Sequence, residues 1–209
     1  MEPVIDAVTE FTLAFAASPW IYPLTFALTV LDAFLVVVPS ETVVVALGAL
    51  SASSGQPLLW LLGPIAAVAA MIGDSLTFAV GRAIGGHRPR WMHRPRIAAA
   101  LEWAGRALDR RAVVVLLTAR FVPFGRIAVN LTAGATGFRY RRFLLLTAIA
   151  GCAWAAYNIG VGALFGRLFA DAPLLAVAVS IVVAIGLGIT ADAISARVSA
   201  RRQAAQAER

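Results

Sequence analysis

Long apolar runs punctuated by glycine, proline and arginine set the pattern of the chain. Residues 64–84, 143–164 and 174–194 each come close to the roughly 20 apolar residues that cross a bilayer as helix, and each is predicted to span. Two further apolar stretches are interrupted. Residues 34–50 read FLVVVPSETVVVALGAL, and 113–134 read VVVLLTARFVPFGRIAVNLTAG. In 97–111, Leu101, Trp103, Ala104 and Leu108 share one broad side against the charges, as in a helix lying at a membrane interface. Residues 4–17 are predicted to do the same at the other face. The alternating ten-residue segments of a transmembrane β-barrel are not seen. The pattern predicts an all-α polytopic membrane protein.

Composition agrees with that reading and charge orients it. The 209 residues are 60% hydrophobic and 14% charged, against roughly 25% charged in soluble domains. All 18 basic residues are arginine and the net charge is +7. Arg88, Arg90, Arg94, Arg96, Arg106, Arg110 and Arg111 form one cluster, Arg139, Arg141 and Arg142 a second, and the tail 195–209 a third. Such clusters between apolar runs mark cytoplasmic segments, so the C-terminus is expected inside and nucleic acid is not the expected partner. The arginine- and alanine-rich composition points to a bacterial cytoplasmic membrane. One cysteine, Cys152, leaves no internal disulfide and no cysteine metal site. MEPVIDAVTE lacks the basic start of a cleaved signal peptide.

Residues 112–138 conflict with a simple crossing. Both flanks are basic, yet the intervening residues suffice for one passage only. A single passage would leave Arg120 and Arg126 near mid-bilayer, at about 2.5–3.5 kcal/mol each. A re-entrant hairpin resolves this, with Pro123 and Gly125 breaking the helix and Gly134 on the returning arm. Residues 20–54 show a fainter version, broken at Pro39 beside Glu41; a plain span over 20–38 is the alternative there. Paired interrupted segments point to inverted repeats whose binding site lies where the tips meet. The expected architecture is two inverted-repeat-like halves, each a re-entrant helical hairpin followed by transmembrane spans.

These residues resemble the DedA family, also called the VTT or SNARE-associated family. The likeness rests on Thr118, Arg120, Pro123, Arg126, Ala133, Gly134 and Phe143, on Glu41 after a proline, on Gly73, Asp74, Gly81 and Arg82, and on Gly151 and Trp154. Phe138 replaces a usual methionine, and Ser53 stands where some members carry a second acid. The resemblance implies movement of lipid between leaflets, with polyprenyl phosphate as the substrate and protons as the coupling ion.

The chemistry is consistent with that implication. Arginine holds a phosphate with a fixed, permanently charged fork, so Arg120, Arg126 and Asn130, one turn beyond Arg126, are the expected phosphate ligands. Glu41 and Asp74 are the expected proton-coupling groups, Glu41 by competing with the phosphate for the arginines. Shallow snorkelling arginines and a purely structural Asp74 or Asn130 are the plainer alternatives. No cofactor or metal is expected, and His87 and His93 read as surface groups. No histidine lies within a predicted span, which disfavours a lipid phosphatase. A non-selective phospholipid scramblase, a phosphatidylethanolamine transporter and a proton-coupled small-molecule exporter are the competing functions.

Overall fold

The computed structural model describes residues 2–35, 40–87, 94–119, 125–170, 172, 175–183 and 186. Helix α1 (Glu2–Ala17) stops ahead of Ser18 and Pro19, because proline disfavours helical backbone in the residue before it. The chain then bends by 85° into α2 (Ile21–Asp32). That bend was not among the expected breaks. Helix α2 has 12 residues and ends at Asp32, roughly 18 Å along its axis. Helix α3 (Ser40–Ser54) follows after a break whose residues 36–39, Pro39 included, lie outside the described set.

Helix α4 (Leu59–His87) is 29 residues long and begins before Pro64, where the span was expected to start. Proline in the helix leaves the Trp60 carbonyl without its usual amide donor, and the break falls near the start, beside an exposed Trp60. Helix α5 (Pro95–Ala119) joins the expected interfacial helix to the next segment, with non-helical backbone at Arg111 (φ −140°, ψ 38°). Helix α6 (Gly125–Ala135) ends at Gly137, whose φ of +78° suits glycine and lets the Phe138 amide donate to the Ala133 carbonyl at 3.0 Å. Helix α7 (Tyr140–Leu168) again has 29 residues. Residues 175–183 are helical, while the rest of the expected 174–194 span and the 195–209 tail lie outside the described residues.

Among the described residues two helices, α4 and α7, are long and apolar enough to cross a membrane, or three if the bent α1–α2 pair is one span. They run antiparallel, with Asp74 beside Thr147 and Phe78 beside Phe143. Each carries a shorter helix packed parallel to it from the other half of the chain. On α4, a side-chain carbon at Gly81 or Gly85 would strike the Leu131 or Ala135 carbonyl of α6. On α7, one at Gly162 or Gly166 would strike the Val45 or Ala49 carbonyl of α3. Small residues let helix backbones approach this closely. Both seams use the same spacing of two glycines four residues apart.

Three apolar clusters hold this frame. Phe78, Leu108, Ala112, Phe138 and Phe143 join α4, α5 and α7 at one end. Val44, Ala66, Ala70 and Trp154 fill the centre. Ile21, Leu47, Leu50 and Leu62 close the other end.

Candidate functional site

Asp74 sits near the middle of α4, an apolar 29-residue helix, and is 2% exposed. Its neighbour Gly73 explains how α2 reaches it, since a Cβ there would lie 2.6 Å from the Ala33 side chain. The close crossing brings the C-terminal end of α2, Asp32, to the level of Asp74. Thr77 Oγ1 pins that end further by donating to the Ala33 carbonyl at 3.2 Å.

Arg126 reaches the same level from the first turn of α6. Its Nη2 donates to the Asp32 carboxylate at 2.9 Å and to the Asp32 backbone carbonyl at 2.7 Å. Its Nε lies 3.7 Å from Asp74 Oδ1. Asn130, one turn on, donates to that same Asp74 oxygen at 2.9 Å. Thr147 of α7 donates to the other Asp74 oxygen at 2.6 Å. The Arg126 and Asp32 side chains are 16% and 14% exposed, so the pair is sheltered yet reachable. Asn130 and Thr147 are buried.

The C-terminal end of α2 and the first turn of α6 therefore meet beside the centre of α4. Of the predicted residues, Arg126, Asn130 and Asp74 come together. Glu41 stands apart: it is exposed and accepts a bond from Trp154 Nε1 at 3.2 Å, at the middle of α7. Arg126 is paired with Asp32 and Asp74 instead of Glu41. Arg120 and Pro123, like Pro39, lie outside the described residues. Gly125 opens α6, and Gly134 is a packing position, where a Cβ would strike the Phe78 carbonyl.

Asp32 and Thr147 were missed by sequence reading. The available signal for Asp32 was a lone carboxylate inside an apolar stretch, seven residues ahead of Pro39. Among the described residues no group of three or more His, Cys, Asp or Glu side chains is placed to hold a metal ion.

The arrangement is a guanidinium balanced by two carboxylates at the start of a helix, where free backbone amides also favour an anion. A profile of the VTT domain matches residues 38–164, more than half of the chain. The chain belongs to the VTT domain family. This VTT region contains Glu41, Asp74, Arg126, Asn130 and Thr147, while Asp32 lies just before it. The family is broadly associated with membrane lipid handling.

Uncharacterized membrane proteins of two strains of Mycobacterium tuberculosis are each 29% identical over 124 residues, covering 56% of this chain and 53% of theirs. An uncharacterized membrane protein of Mycobacterium leprae is 25% identical over 126 residues, covering 58% of this chain and 55% of its own. The match thus spans about half the length of these relatives. No solved structure matches.

Proposed function

We propose that this VTT protein carries an anionic lipid, polyprenyl phosphate, across the membrane, with Arg126 as the phosphate ligand and proton uptake as the coupled event. The observation that supports this reading is the Asp32–Arg126 pair, held at the centre of a helical frame about 43 Å long. In this reading, residues 20–54 and 112–138 are re-entrant hairpins entering from opposite faces of the membrane. The matched glycine seams, α6 on α4 and α3 on α7, support the inverted-repeat reading. So does the placement of Arg126 at the centre of α4 and Glu41 at the centre of α7.

Charge balance gives the mechanism. Among the described residues, two carboxylates face the Arg126 guanidinium, so a phosphate arriving at the ionised site meets net negative charge. Protonation of Asp32 removes that net negative charge and weakens its hold on one Nη2 donor, the other still resting on the Asp32 backbone carbonyl. The lipid phosphate takes the released donor. Return of the proton to solvent on the other side restores Asp32 as the internal counter-ion and ejects the phosphate. Arg120 acts beside Arg126 in this scheme, and Glu41 is a second proton carrier held by Trp154. Ordinary helix capping would also place an arginine on the α2 carboxyl end, but capping alone gives no reason for the link to Asp74.

Binding of polyprenyl phosphate to the purified wild type, Asp32→Asn and Arg126→Gln tests the scheme. Affinity should rise in Asp32→Asn, where one carboxylate charge is removed, and Arg126→Gln should abolish it. Equal affinity for phosphatidylethanolamine, or binding indifferent to Arg126, would defeat the assignment in favour of a non-selective scramblase.

A further inference from the structure

The far end of α4 holds a different set of arginines. Arg82 lies eight residues, roughly 12 Å, beyond Asp74. Its guanidinium carbon stands 5.8 Å from the Phe78 ring centroid. Phe78 in turn packs 4.5 Å from Phe143 and 5.5 Å from Tyr140. Arg142, at the start of α7, stands 5.6 Å over the Phe138 ring. Phe78, Phe138 and Phe143 belong to one buried cluster, so both guanidiniums rest on the same aromatic base.

Stacking fixes the plane of a guanidinium and leaves its in-plane N–H donors free. Both arginines are exposed. Among the described residues neither has a carboxylate partner, whereas Arg106 on α5 pairs with Glu102 at 3.6 Å. The surroundings add positive charge from Arg139 and Arg141. Exposed apolar side chains begin within a turn: Leu145 on α7, and Val113 and Val114 on α5. Trp103, 69% exposed, marks the interface between polar and apolar zones. Free phosphate would use the arginines but leave those apolar side chains without a partner. A lipid uses both.

We infer that Arg82 and Arg142 form a resident site for the headgroup of an anionic glycerophospholipid, separate from the Arg126 centre. The inference does not depend on the transport reading. Native mass spectrometry of the full-length protein in detergent, with phosphatidylglycerol and phosphatidylcholine of matched chains, tests it. Phosphatidylglycerol should be retained in preference, and affinity should fall about fivefold for each arginine changed to glutamine. Arg106→Gln, on an arginine with its own carboxylate, should leave the preference unchanged. If the double variant fails to fold, Arg142→Gln alone should still show the fivefold loss. Equal retention of both lipids, an unaltered preference in Arg142→Gln, or displacement of the lipid by millimolar inorganic phosphate would overturn the inference.

Discussion

Arg126 and Asp32 are 94 positions apart in sequence and touch twice, through the carboxylate at 2.9 Å and the backbone carbonyl at 2.7 Å. The contact joins the inner ends of two broken segments from opposite halves. Its two members should respond unequally to mutation. Arg126→Ala leaves the sheltered Asp32 carboxylate without its guanidinium and should cost about 3 kcal/mol or more of stability. Asp32→Asn keeps an acceptor for Nη2 and should cost about 1 kcal/mol. Thermal unfolding in detergent, read from both variants, checks the order.

Thr147 supplies the polar tie between α4 and α7 through Asp74 Oδ2, at 2.6 Å in a buried setting. Thr147→Val keeps the shape and deletes the donor. Loss of this donor to the buried Asp74 carboxylate should lower stability by about 1–3 kcal/mol, whereas Thr147→Ser should stay near wild type. Equal loss in both variants would assign the effect to packing around the methyl group.

The glycine seams separate close approach from simple helix tolerance. Gly81→Ala and Gly162→Ala drive a methyl group into a facing backbone carbonyl, which no rotamer change relieves. Each should cost about 1–3 kcal/mol. Gly160→Ala on α7 and Gly86→Ala on α4 meet open space, and should be neutral or gain up to about 1 kcal/mol of helix propensity. Unfolding midpoints of the four variants provide the comparison.

Helix directions make a topological prediction. Because α3 runs with α7 and α6 with α4, Ser54 and Thr136 fall at opposite ends of the frame. In a Cys152→Ser background, Ser54→Cys should react with an impermeant thiol reagent from one side of intact vesicles and Thr136→Cys from the other. Labelling of both from one side would contradict the opposed entry of the two segments.

Much of this was legible in sequence because charged and polar groups in an apolar run are costly. Arg126, Asn130 and Asp74 stood out for that reason and converge in the fold. The backbone chemistry of proline led to breaks being expected at Pro39 and Pro123; both lie outside the described residues, between helices that end at Asp32 and Ala119 and begin at Ser40 and Gly125. Asp32 was not singled out because the run through Val38 read as one apolar element, and its partner lies 94 positions downstream. Thr147 was equally silent, since a hydroxyl in a helix usually bonds its own backbone, as Ser180 does with Ala176. The α1–α2 bend had a visible cause in Ser18 and Pro19, but no charge drew notice to it. Glu41 was correctly placed after its proline, yet only the packing of α3 on α7 shows that Trp154 holds it.

In the proposed mechanism, protonation exchanges Asp32 for a lipid phosphate on Arg126. Leaflet exchange of labelled polyprenyl phosphate in proteoliposomes, with and without an imposed proton gradient, tests it most directly when wild type and Asp32→Asn are run side by side. Gradient-accelerated exchange in the wild type, with gradient-insensitive exchange in Asp32→Asn and none in Arg126→Gln, is the expected result. Exchange that keeps its full gradient dependence in Asp32→Asn would contradict the account.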